Sequence, residues 1–176
     1  TQFNYKSFTI PGAVTLGVAS INNSGTASGY FTGASGNYSG FLRSSTTVVT
    51  PVLDGSFTVV NQVNAQGIAV GEFFNAAAGN YSGFFYNSGT QSFTTYDVPG
   101  QPAGTNTALG GITAAITQFC GFVSSPPYTT VKAFLSNNGQ VTIYPVNGSS
   151  TTECLGMNKQ GVSVGFYIDA AGVSHG

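Results

Sequence analysis

Charge is the scarcest property of this 176-residue chain: 5% of its residues are Asp, Glu, Lys or Arg, about a fifth of the share in ordinary soluble domains. The four basic residues (Lys6, Arg43, Lys132, Lys159) stand singly. Binding nucleic acid needs a clustered basic footprint to displace counterions, so that class of partner is excluded. Tryptophan is absent, which counts against stacking on sugar rings, although Tyr can take that role. No apolar run reaches the roughly 18 residues of a membrane-spanning helix. A single histidine, His175, leaves little material for a triad or a metal centre. The five acids, Asp54, Glu72, Asp97, Glu153 and Asp169, lie too far apart in sequence for a calcium loop. No cofactor is expected.

Sustained 3.6-residue periodicity is missing as well, so helix has almost no support. What replaces charge and helix is small and polar: 25 Gly, 21 Thr, 19 Ser and 14 Asn, alongside 14 Phe and 9 Tyr. So many aromatics argue against disorder, and this length suits one domain. A nearly uncharged Thr/Ser/Asn/Gly surface, and an opening at Thr1 rather than Met, lead us to expect a processed, secreted product.

"GNYSGF" occurs twice, beginning at Gly36 and at Gly79. Extending the match recovers four copies: "INNSGTASGYF" (21–31), "VNAQGIAVGEFF" (63–74), a degenerate "ITAAITQFCGFV" (112–123) and "MNKQGVSVGFY" (157–167). Their second glycines are Gly29, Gly71, Gly121 and Gly165. Three copies lead to "GFLR", "GFFY" or "AFLS", whereas the fourth stops at "SHG" (174–176). Between them lie "FTIPG" (8–12), "FTVV" (57–60), "FTTYDVPG" (93–100) and "VTIYPVNG" (141–148). Periods of 40–50 residues mark propellers, solenoids or arrays, and each copy reads as four short strands.

The expected fold is therefore all-β: a small β-propeller of four four-stranded repeats of about 44 residues. The alternative is a linear β-repeat array or solenoid. The repeat units run 6–43, 44–86, 87–136 and 137–176. The last would be completed by residues 1–5, with Phe3, Asn4 and Tyr5 supplying a strand beside Ser174, His175 and Gly176. That closure removes an open edge and is the simpler reading; the same strand could instead complete a neighbouring molecule. The turns "N-x-x-G" place Gly25, Gly67 and Gly161 where positive φ is wanted.

The pattern "YDVPG … INN-x-G-x-x-x-GYF … GFL" resembles the extracellular HAF-type repeats of secreted bacterial proteins. Copies 1, 2 and 4 carry it, and the third departs at "GGITAAITQFCGF". The resemblance implies secretion and a β-repeat fold, and it brings no catalytic residues.

Cys120 and Cys154 sit in successive copies, and an even cysteine count in a secreted chain favours a disulfide. Two buried thiols are the second reading. "GVSVG" (161–165) matches G-x-S-x-G, but Ser163 aligns with Ala27 and Ala69 in strands, where that motif needs a strand-to-helix elbow. Glu72 replaces an aromatic found at Tyr30, Phe122 and Phe166. Glycoside hydrolysis would require a second acid beside it, and a hydrogen-bonded or solvated carboxylate is the simpler reading. The sequons at Asn22, Asn37, Asn80 and Asn147 read as turn chemistry. The expected function is a secreted, non-enzymatic structural or adhesive protein that self-associates into filaments or surface layers. Carbohydrate binding, with glycans as partner, is the alternative, and a hydrolase the third.

Overall fold

The computed structural model describes residues 7–45, 47–49 and 57–176. Among them there is no helix and there are fifteen strands. They are β1 (Thr15–Ile21), β2 (Ala27–Thr32), β3 (Tyr38–Arg43), β4 (Val48–Val49), β5 (Thr58–Val63), β6 (Ile68–Asn75), β7 (Asn80–Asn87) and β8 (Ser92–Tyr96). There follow β9 (Asn106–Ile112), β10 (Gln118–Ser124), β11 (Lys132–Asn137), β12 (Gln140–Tyr144), β13 (Thr151–Met157), β14 (Ser163–Ile168) and β15 (Ser174–His175). They form four separate antiparallel meanders: sheet 1 (β1–β4), sheet 2 (β5–β8), sheet 3 (β9–β12) and the three-stranded sheet 4 (β13–β15).

The sheets are offset from the repeat units by one strand. β8 and β12, in "FTTYDVPG" and "VTIYPVNG", pair with β7 and β11 and so close their own sheets instead of opening the next. "FTVV" runs into β5, the first strand of sheet 2. Both "GNYSGF" segments are the hairpin from second to third strand, with Gly36 and Gly79 at φ 77° and 71°. Gly25, Gly67 and Gly161 likewise adopt positive φ, at 76°, 77° and 81°.

Every first strand carries a β-bulge at the same place. The register slips between Val18 and Ser20, between Val60 and Gln62, between Leu109 and Gly111, and between Cys154 and Gly156. Opposite each bulge stands one of the second glycines: Gly29, Gly71, Gly121 or Gly165. There the carbonyl of Gly17, Val59, Ala108 or Glu153 lies where a Cβ would have to go. A bulge bends its strand towards the partner, and only glycine leaves room for that approach. This contact is why the glycine recurs in all four copies. On the other side of Gly29, Gly71 and Gly121 sit Phe41, Phe84 and Phe134, each opposite its glycine across the ladder and fully buried.

Consecutive sheets pack face to face in chain order. Leu42 of sheet 1 joins Val60, Val63, Phe73 and Phe84 of sheet 2. Val70 of sheet 2 meets Leu109, Ile112, Phe119 and Phe134 of sheet 3. The third junction holds the smaller cluster of Cys120, Ala133, Cys154 and Met157. Three positions of each first strand point back at the preceding sheet. They are Thr58, Val60 and Val63 in β5, Thr107, Leu109 and Ile112 in β9, and Thr152, Cys154 and Met157 in β13, all buried. Their counterparts in β1 are Leu16, Val18 and Ile21, and all three are exposed. Among the described residues no sheet closes upon itself. The closing strand expected from Phe3, Asn4 and Tyr5 lies outside the described residues, while Ser174 and His175 form β15 against β14.

Candidate functional site

Functional side chains gather at three places: the turn ends of the first strands, the junction of sheets 3 and 4, and the two outermost faces.

At the turn ends, Asn22 and Asn64 each do two jobs. The Asn22 Oδ1 accepts from Ser24 N and Thr26 N at 3.0 and 2.9 Å, tying its own turn. Its Nδ2 donates to the Asn64 carbonyl, 2.8 Å away in the next sheet. Asn64 repeats the pattern, with Oδ1 taking Gln66 N and Ile68 N and Nδ2 donating to Thr113 O at 3.1 Å. In the degenerate third copy Thr113 replaces Asn, and its hydroxyl bonds within its own turn to Gln118. Gln62, beside the β5 bulge, joins three sheets: its Oε1 accepts from Ile112 N (3.0 Å) and Met157 N (3.2 Å), and its Nε2 donates to Met157 O (2.7 Å). Asn158 keeps the turn-tying half of the pattern, accepting from Gln160 N and Val162 N; no side-chain bond from its Nδ2 to another sheet occurs among the described residues. The sequence displayed the N-x-x-G turns, but the amide's reach to the next sheet could not be read from one copy.

At the junction of sheets 3 and 4, a disulfide joins Cys120 of β10 to Cys154 of β13, as the first sequence reading had it. Beside it lies a cavity of about 310 Å3, lined in part by Leu135, Tyr144, Thr152, Gly165 and Tyr167. Ser163 is strand residue and also borders this cavity.

Burial raises two carboxyl groups. Burial pushes the Glu72 carboxyl from the ordinary 4.5 up to about 7, and the like charge of Glu153 adds to the effect. Burial also raises Glu153. Glu153 lines the cavity, and Glu72 is not among its lining residues. The pH dependence follows from the sign of the shift. An unfolded chain loses the Glu72 proton near 4.5, whereas the folded chain holds it to about 7. Stability therefore falls as pH rises through that interval. We expect Glu72→Gln to remove a loss on the order of 2–3 kcal/mol, measured by urea unfolding at pH 5 and pH 8. An identical pH response in the variant would refute the assignment.

His175, which showed no partner in the sequence, has two in the structure. Its Nε2 lies 2.9 Å from Asp169 Oδ2, and its ring stacks on Tyr167 at 4.7 Å. The His175 hydrogen bond, with the backbone N–H groups of Val173 and Ala171, holds the Asp169 carboxyl below its usual range. Asp169 also ties the turn leading into β15, so this cluster anchors a hairpin. Among the described residues no three His, Cys, Asp or Glu side chains converge as a metal site, and no helix is long and apolar enough to cross a membrane.

The outermost faces complete the set. Val164 occupies in sheet 4 the position that Ser28, Val70 and Cys120 hold in sheets 1 to 3. Val70 is 0% exposed and Val164 66%. At the other end Val18 is 55% exposed, against 0% for its counterpart Val60.

The protein is thus of the all-β class, four tandem antiparallel sheets with one inter-sheet disulfide and two uncovered apolar faces. The chain matches no family model and no curated protein.

Proposed function

We propose that this is a secreted, non-enzymatic structural protein of propeller type, whose copies associate through the two uncovered faces. The observation that carries this reading is the matched pair of faces. Sheet 4 presents, through Val164, the surface that sheets 1 to 3 use to receive a following first strand. β1 presents, through Leu16, Val18 and Ile21, the positions by which each later first strand docks on its predecessor. One copy's β1 on another's sheet 4 repeats a junction already made three times within the chain. Such a head-to-tail contact closes into a ring or continues as a filament, according to its rotation. Asn158 Nδ2 would then meet the Asn22 carbonyl of the next copy, as Asn22 meets Asn64. A net charge of −1 gives little repulsion between copies. The Cys120–Cys154 bridge suits an oxidising exterior, and the HAF-type motif residues lean the same way.

Sedimentation tests the reading. The native chain should show concentration-dependent mass. Val18→Asp or Val164→Asp should each weaken association roughly hundredfold, because a carboxylate would be buried unpaired. The circular dichroism of both variants should be unchanged. A native chain that stays monomeric at every concentration would overturn the proposal.

A further inference from the structure

A second cavity, of about 580 Å3, is walled by all four sheets at the turn ends of their first strands. Every lining residue falls between Ile21 and Gln160, so its walls are turns well inside the chain. The lining takes in the last residue of each first strand: Ile21, Val63, Ile112 and Met157. Gln62 lies among them, fixed by its bonds to Ile112 N, Met157 N and Met157 O. This part of the bowl is therefore held in place by the fold itself. The residues of the turns divide their labour. Asn22, Asn64 and Asn158 tie their turns through Oδ1, which leaves the side chains at the two middle positions without that task. Asn23, Gln66, Lys159 and Gln160 stand at such positions, and all four line the bowl. Their side chains have no hydrogen-bond or ion-pair partner among the described residues. In the degenerate third turn Ala114 takes the wall instead, small and apolar. The lining holds one cation and no acid. Three free carboxamides and one ammonium without a counter-ion thus face a single concavity.

We infer that this bowl binds a hexuronic acid, the carboxylate-bearing sugar unit of acidic polysaccharides. A carboxamide sets a donor and an acceptor side by side, which matches neighbouring hydroxyls that both give and take a hydrogen bond. Lys159 supplies the single charge, and a carboxylate beside it makes a charge-assisted bond. Ile21, 70% exposed, and Ala114 offer apolar surface to the C–H face of the ring. The volume falls within the about 300–1,000 Å3 usual for small-molecule sites. A simple anion would leave the amides unused, and a neutral sugar would leave the ammonium unpaired. Recognition here rests on hydrogen bonds and one charge, so it needs no tryptophan to stack on. The inference adds a ligand to the structural role and does not depend on association between copies.

The test titrates the whole chain with D-glucuronate and D-galacturonate, taking D-glucose and D-galactose as neutral controls, and follows the amides by NMR. At least one acid should give saturable shifts at the side-chain amides of Asn23, Gln66 and Gln160. Its neutral counterpart should bind roughly tenfold more weakly or worse, the worth of one charged hydrogen bond. Lys159→Gln should bring the acid down to the level of the neutral sugar. Acetate at the same concentration should leave the three side-chain amides unmoved. Val164→Asp, which keeps chains apart and lies outside the lining, should bind as the native chain does, separating this site from association. No saturable shift with either acid, equal binding of acid and neutral sugar, or the same shifts with acetate would each overturn the inference. So would unchanged affinity in Lys159→Gln or lost binding in Val164→Asp.

Discussion

Gly71→Ala is expected to cost about 3 kcal/mol or more, a large part of the 5–15 kcal/mol that holds a domain of this kind together. The added methyl would meet the Val59 carbonyl on one side and the Phe84 ring, at 3.0 Å, on the other. Neither can yield cheaply. Val59 is held by the ladder beside a bulge, and Phe84 is packed against Phe73 and Phe93. Gly79→Ala supplies the contrast, since its φ is 71° and nothing lies within 4 Å of the new methyl. There the left-handed backbone alone opposes the change, at roughly 1–2 kcal/mol. Urea unfolding with unchanged slopes should separate the two midpoints clearly. If Gly71→Ala proves as mild as Gly79→Ala, the close approach at the bulge is not what selects the repeated glycine.

Replacing both cysteines by alanine should be the second large effect. The bridge closes 34 residues, worth about 4 kcal/mol in the chain-entropy account. The loss should be local before it is global. The junction it staples has the fewest apolar partners, chiefly Ala133, Met157 and Leu135 beside the sulfurs, while the other two junctions each bury phenylalanines. Amide exchange should therefore quicken across β13 and β14 first, with protection of β5 to β10 kept, as expected of sub-global opening. The intact, unfolded but unreduced chain should give no reaction with a thiol reagent. Two thiols per chain, or uniform loss of protection, would contradict this account.

Much of this was legible in the letters because it is local and repeated. The spaced "N-x-x-G" turns announced positive-φ glycines at Gly25, Gly67 and Gly161, whereas the second glycine recurred in the letters without showing the close carbonyl that requires it. Absence of helical periodicity and abundance of Thr, Val and Phe determined an all-β chain. Cys120 and Cys154, in successive copies, determined a plausible bridge. A repeat, however, has no natural first strand: the same letters allow the sheet to be cut before or after the "FT" segment. Only hydrogen bonding decided it, by pairing β8 with β7 and β12 with β11. Pairings between distant residues were equally hidden. Glu72 and Glu153 are 81 positions apart, by their numbers, and become coupled because separate sheets bring them near. Gln62 reaches Met157 for the same reason. Burial carries most of the proposed function. Leu16, Val18 and Ile21 read like their counterparts in β5 and β9, because a sequence repeat records what each sheet offers. Which faces are covered depends on what stands beside each sheet, and that is a property of the tertiary arrangement alone.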